Sequence, residues 1–80
     1  MKNIDDMTIQ QKVGITIREL RKEKGISQEN FAYESGIDRR YMSDIENGKR
    51  NISLDILERV SEKLEIKISD FFLRVEEMCE

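Results

Sequence analysis

Residues 36–48 read Gly36-Ile37-Asp38-Arg39-Arg40-Tyr41-Met42-Ser43-Asp44-Ile45-Glu46-Asn47-Gly48. Glycines bracket the run, and glycine just past a helix end supplies the left-handed conformation that stops it. Asp38 is an N-cap type of residue, whose side-chain oxygen accepts from the free N–H groups of the first turn. The spacing predicts a helix from 38 to about 47, with Tyr41, Met42 and Ile45 as its apolar positions. With Met42 and Ile45 facing inward, Arg40, Ser43 and Asp44 fall on the opposite, exposed side, and Arg39 lies on its flank.

Just upstream, Ser27 caps a short helix at Gln28–Ser35, with Asn30 where a capping box usually carries Glu or Gln. Phe31 and Ala32 are its inward residues, and Gly36 ends it. The bend to the next helix is therefore three residues, 36–38, which is helix-turn-helix spacing.

Working outward, a first helix covers about 8–24, where Ile9, Val13, Ile17 and Leu20 form one stripe and Gly25 follows. Arg18, Arg21, Lys22 and Lys24 crowd its last turns, where cations complement the helix dipole. Gly14 lies inside that helix. A fourth helix is capped by Ser53 and runs to 64 on Leu54, Leu57, Val60 and Leu64. A fifth, capped by Ser69 or Asp70, carries Phe71, Phe72, Val75 and Met78. No segment alternates with period two for long. The expected fold is all-α: a compact five-helix domain over 8–80, preceded by a mobile N-terminal segment, 1–7.

Eighty residues make one domain with a thin core. Cys79 is the only cysteine and there is no histidine, so the monomer has neither a disulfide nor a zinc cluster to reinforce it. Cys79 reads as an incidental terminal thiol rather than a redox switch. Lys2, Asp5, Asp6 and Lys12 leave no apolar stretch for a secretory signal, and no run approaches the ~18 apolar residues of a membrane helix. A soluble, reduced, cytoplasmic protein with no membrane association is the expectation. Asn51-Ile52-Ser53 then matches a glycosylation acceptor by chance. With no histidine, no glycine-rich phosphate loop and no nucleophile beside a base, the chain reads as a non-enzyme without cofactors.

The net charge of -3 argues against a nucleic-acid partner, but its distribution argues for one. Residues 39–50 hold four basic and two acidic side chains, whereas 51–80 hold four basic and eight acidic ones. Positive charge thus sits on and just after the third helix, and the acid sits at the far end of the chain. Arg39 and Arg40 also defy the helix dipole, which disfavours cations at an N-terminus by up to ~1 kcal/mol. Something must compensate. A guanidinium forked onto guanine O6 and N7 contributes ~1–3 kcal/mol of base discrimination, against the plain alternative of two solvated arginines.

Gly14, Ile17, Leu20-Arg21, Gly25, Ser27-Gln28, Ala32, Gly36, Ser43, Ile45-Glu46-Asn47-Gly48 and Leu54 resemble the lambda-repressor-like, Cro-type helix-turn-helix family, the xenobiotic-response-element regulators. The resemblance spans roughly residues 14–72. More narrowly, Phe31-Ala32-Tyr33, Asp38-Arg39-x-Tyr41, Arg50-Asn51-Ile52-Ser53 and Phe71-Phe72 are similar to the small controller proteins of restriction–modification systems.

The resemblance implies a third helix in the major groove of double-stranded DNA, with Arg39, Arg40, Ser43 and Asp44 as base readers. Asp44 either accepts from cytosine N4 or orients Arg40, four residues before it. Gln28, at the start of the second helix, is similar to a glutamine that bonds phosphate. Asn47, Lys49, Arg50 and Asn51 form a polar loop that would grip the backbone, and Tyr41 either reaches DNA or packs partly on the core. Arg21 and Glu46 look like the family's structural ion pair, expected here to be partly exposed.

One short helix reads about half a site, and dimers of this motif bind half-sites one turn (~34 Å) apart. The fifth helix offers more apolar surface than one small core readily buries. A homodimer on a palindromic operator is therefore expected, with Phe72, Val75, Ile68 and Ile56 as interface candidates; the alternative leaves them as core or frayed end. The expected function is sequence-specific transcriptional regulation by an autoregulatory controller protein that occludes or recruits RNA polymerase. The rivals are a phage-type or antitoxin repressor of the same fold and a protein-binding helical adaptor.

Overall fold

The computed structural model describes residues 6–78. Cys79, and residues 1–5 of the segment expected to be mobile, lie outside the described residues. Five helices follow one another without a strand among the described residues: α1 (Ile9–Glu23), α2 (Gln28–Ser35), α3 (Arg39–Glu46), α4 (Leu54–Leu64) and α5 (Ile68–Glu77).

Local chemistry accounts for most boundaries. Thr8 and Gln11 form a reciprocal capping box: the Gln11 N–H donates to Thr8 Oγ1 at 3.2 Å, and the Thr8 N–H to Gln11 Oε1 at 2.8 Å. Ser27 accepts from the Asn30 N–H, and Ser53 from the Ile56 N–H. Gly36 ends α2 at φ 68°, and the Ile37 N–H closes that turn on Ala32 O at 2.9 Å.

The fifth helix begins earlier than Ser69 or Asp70. Its N-cap is Lys67, which makes no side-chain capping bond, and Ser69 and Asp70 lie inside the first turn. The cause is upstream. Glu65 takes the left-handed conformation (φ 56°) that usually calls for glycine, and the Ile66 N–H closes α4 on Ser61 O at 3.0 Å. The chain turns on that residue and re-enters helix at Ile68, after Ile66 and Lys67. Asp70, in the first turn, still places negative charge at the positive end of the dipole.

All five helices contribute to one core, which includes Ile17, Phe31, Met42, Ile45, Val60 and Phe71, each almost wholly buried. Two stripe residues miss it: Ile9 and Leu54 are the first residues of their helices, project beyond the packed layer, and remain exposed. Val75 is a correction in the other direction. It is fully buried beside Phe71, one turn before it on the inner face of α5, so it offers no surface to a second copy.

Gly14 explains how α1 meets α3. A β-carbon there would sit 2.4 Å from Ile45 O and 2.6 Å from Glu46 O. Hydrogen is the only substituent this contact admits, and the backbones touch at the C-terminal end of α3.

Candidate nucleic-acid interface

The first turn of α3 assembles its own compensation for two adjacent arginines. Asp38 Oδ2 accepts from the Arg40 N–H at 3.1 Å and the Tyr41 N–H at 3.2 Å, setting a carboxylate at the helix N-terminus. Arg39 Nη1 reaches Glu29 Oε2 on α2 at 3.2 Å, with both side chains about two-thirds exposed. Arg40 is exposed and has no ion-pair partner among the described residues. The sequence puts Arg39 and Arg40 side by side; only the fold shows that one is tethered and the other is not.

Asp44 does not orient Arg40. Its Oδ2 instead lies 3.3 Å from Arg50 Nε, because the loop after α3 doubles back along the helix. The Arg50 guanidinium simultaneously covers the half-buried Tyr41 ring, 4.9 Å from its centroid. Arg50, Tyr41 and Asp44 thus form one unit, with Ser43 half-buried on the same helix. Lys49 is exposed without an ion-pair partner among the described residues.

Beneath this surface lies the group that fixes it. Glu46, the last residue of α3, is 2% exposed, and Arg21 on α1 is 7% exposed. The pair expected to be partly exposed is therefore interior, because the Gly14 contact draws α1 over the end of α3. Arg21 Nε meets Glu46 Oε2 at 2.8 Å and its Nη2 meets Oε1 at 3.0 Å, a two-pronged pair. Arg21 Nη1 also donates to Ile26 O at 2.7 Å, tying in the turn between α1 and α2.

Gln28 joins the same carboxylate, its Nε2 donating to Glu46 Oε1 at 3.0 Å. The expected phosphate ligand is thus turned inward, and its side-chain amide locks α2 to α3. Asn47 and Asn51 stand exposed in the loop with their acceptor oxygens already engaged. Asn47 Oδ1 takes a bond from Arg18 Nη2 at 3.0 Å, and Asn51 Oδ1 takes one from Gln10 Nε2. Gln10, Glu29 and Arg18, the last expected only to complement the helix dipole, are further participants at this surface. For Arg18 a signal existed: it sits three residues before Arg21, on the same helical face.

On α5, Ile68 and Leu73 are exposed and Phe72 is half-buried against the core. Ile56 on α4 is also half-buried. A cleft of about 170 Å³ opens beside Phe72, with Ile9, Val13 and Ile52 as its apolar walls and Gln10, Arg50 and Asn51 as its polar lining.

Two short helices joined by a three-residue bend, with cations at the open end of the second, define a helix-turn-helix protein. The chain belongs to the helix-turn-helix family, whose profile matches residues 17–71. It is 50% identical over 64 residues to the control protein C.MunI of a Mycoplasma species, which spans 79% of this chain and 86% of that one. It is 43% identical over 58 residues to the control protein C.BamHI of Bacillus amyloliquefaciens, over 71% and 72% of the two chains. In structure it is similar to the restriction–modification controller protein C.Esp1396I, solved as a tetramer with its natural 35 base-pair operator. There the TM-score is 0.82 and the identity 35%, over 92% of this chain and 97% of that one.

No helix among the described residues is long and apolar enough to cross a membrane.

Proposed function

We propose that this chain is a sequence-specific DNA-binding transcriptional regulator, a homodimeric, autoregulatory controller protein of a restriction–modification system. The observation that carries the reading is the exposed first turn of α3, which presents Arg39 and Arg40 on a helix braced from below by Arg21, Gln28 and Glu46. Its similarity to control proteins, one of them held on its operator, supports the assignment.

In this reading Arg39, Arg40, Ser43 and Asp44 face base edges in the major groove. Tyr41, Asn47, Lys49, Arg50 and Asn51 follow the sugar–phosphate backbone, and the N-terminus of α2 contributes backbone N–H groups there. Gln28 braces Glu46 with one amide hydrogen, and its second hydrogen serves the phosphate. Two copies pair through Ile68, Phe72 and Leu73, with Ile56 at the edge, and set two reading helices one turn (~34 Å) apart on a palindromic operator.

The mechanism is occupancy. At low concentration the bound dimer recruits RNA polymerase to its own promoter and the linked endonuclease gene; at high concentration it occludes the polymerase. The protein performs no catalysis, binds no cofactor and works in the cytoplasm. Fluorescence anisotropy on the DNA just upstream of its own gene, against a scrambled duplex at ~0.15 M salt, tests this directly. A preference of ~10³ or more is expected. Equal, weak binding to that DNA and to any duplex drawn from a randomised pool would refute it.

A further inference from the structure

We infer that Arg18 is a positioning residue for DNA binding, which sets the side-chain amide of Asn47 with its donor end outward for a phosphate oxygen. The inference rests on the DNA-binding role proposed above and assigns a role to a helix, α1, that has none in base reading.

The chemistry turns on which end of an amide faces which partner. A guanidinium has five N–H donors and no acceptor. Arg18 Nη2 lies 3.0 Å from the Asn47 side chain, so the atom it meets must be Oδ1, and Nδ2 must point away from α1. The Nδ2 hydrogens meet only Ser43 Oγ, at a long 3.5 Å. A phosphate oxygen can only accept. The orientation that Arg18 imposes therefore presents the phosphate with a donor, whereas the flipped amide would present it with a second oxygen.

Arg18 is itself held. Its Nε lies 3.4 Å from Glu46 Oε1, and that buried carboxylate is fixed by Arg21 and by Gln28. Gly14, one turn earlier on α1, allows the approach that brings Arg18 within reach of the end of α3. The core ion pair is thereby linked to an exposed loop residue through one half-exposed guanidinium. On the same helix Gln10 donates to Asn51 Oδ1, although its amide, unlike a guanidinium, carries an acceptor as well and does not force that orientation.

The test is a double-mutant cycle with Arg18→Met, Asn47→Ala and the double variant. Binding is read by anisotropy at ~0.15 M salt on a duplex selected by the wild-type protein from a randomised pool. Holding one side chain still is worth ~0.5–1.5 kcal/mol, so each single substitution should weaken binding by about 2- to 13-fold. The double variant should bind no more weakly than Asn47→Ala, and the slope of affinity against salt should not change with Arg18→Met. In the free protein, the Asn47 side-chain amide resonances should shift in Arg18→Met while the backbone spectrum of α4 and α5 stays in place.

Losses that multiply in the double variant, with a salt slope lower by about one, would mean that Arg18 touches phosphate itself and would overturn the positioning role. Arg18→Met binding as tightly as wild type would overturn it too. If Arg18→Met melts below the assay temperature, Arg18→Gln serves the same cycle, since its amide offers an acceptor as well as donors and no longer dictates which end of Asn47 faces it. A wild-type protein that selects no duplex would overturn the DNA-binding reading and this inference together.

Discussion

Arg21 and Glu46 lie 25 residues apart in the chain and meet in the interior, Nε to Oε2 at 2.8 Å and Nη2 to Oε1 at 3.0 Å. The pair joins the last turn of the first helix to the last residue of the third, and Gln28 brings in the second helix at 3.0 Å. Three helices thus share one buried carboxylate. A charge in that place is tolerated only while its donors remain, because the cost of desolvating it is already present in the folded state.

Removing one partner should therefore cost far more than losing a surface pair. Arg21→Met is expected to destabilise the domain by ~3–5 kcal/mol, read from urea unfolding at constant slope. Arg21→Met combined with Glu46→Leu should recover much of that loss, since no charge is then stranded. A single variant as stable as wild type would show that the pair is dispensable.

Gly14→Ala sets helix propensity against sterics. Alanine is favoured by ~1 kcal/mol within a helix, yet its β-carbon would lie 2.4 Å from Ile45 O. The clash should win, with a net loss of ~1–3 kcal/mol from displaced backbone. Because Arg18 and Gln10 ride on the same helix, operator affinity should fall as well. Thermal unfolding and anisotropy on one preparation check both.

Glu65 offers the opposite case. A non-glycine residue at φ 56° is held there at a cost of ~1–2 kcal/mol. Its bond to Lys24 at 3.2 Å is a solvent-exposed pair of small value. Glu65→Gly should raise stability by ~0.5–1 kcal/mol. A lowered melting temperature would contradict this.

Arg40 has no ion-pair partner among the described residues, so its removal should leave stability within ~0.5 kcal/mol of wild type. Specific binding should nevertheless weaken by ~1–3 kcal/mol, the size of a lost guanine contact. Arg39→Ala should behave similarly after Glu29 is released from its pair. An adaptor that uses its acidic half to bind protein would be indifferent to both changes, which separates the two readings.

On α5, neighbouring positions should fail differently. Leu73→Glu places a charge on an exposed apolar residue and should shift dimer to monomer in sedimentation while the helical signal remains. Val75→Glu buries that charge in the core and should unfold the chain. Dimers that survive Leu73→Glu would place the interface elsewhere.

Local pattern alone determined the helices: Ser27, Asp38 and Ser53 announce their caps, and Gly36 with its three-residue bend places the helix-turn-helix. The exposed side of α3 followed from Met42 and Ile45, because a period of 3.6 fixes which side chains oppose the core. The start of α5 escaped this reading because a glutamate adopts a glycine-like conformation under tertiary closure. Partnership was likewise invisible. That Arg39 pairs with Glu29, that Asp44 takes Arg50 rather than Arg40, and that Gln28 turns inward all depend on distances between separate elements. Burial of the Arg21–Glu46 pair depends on the close approach of α1 to α3, which a hydrogen at Gly14 permits, and burial of Val75 depends on how α5 packs into the shared core. Sequence periodicity fixes directions along one helix, whereas ion-pair choice and burial are set by how helices are placed in space.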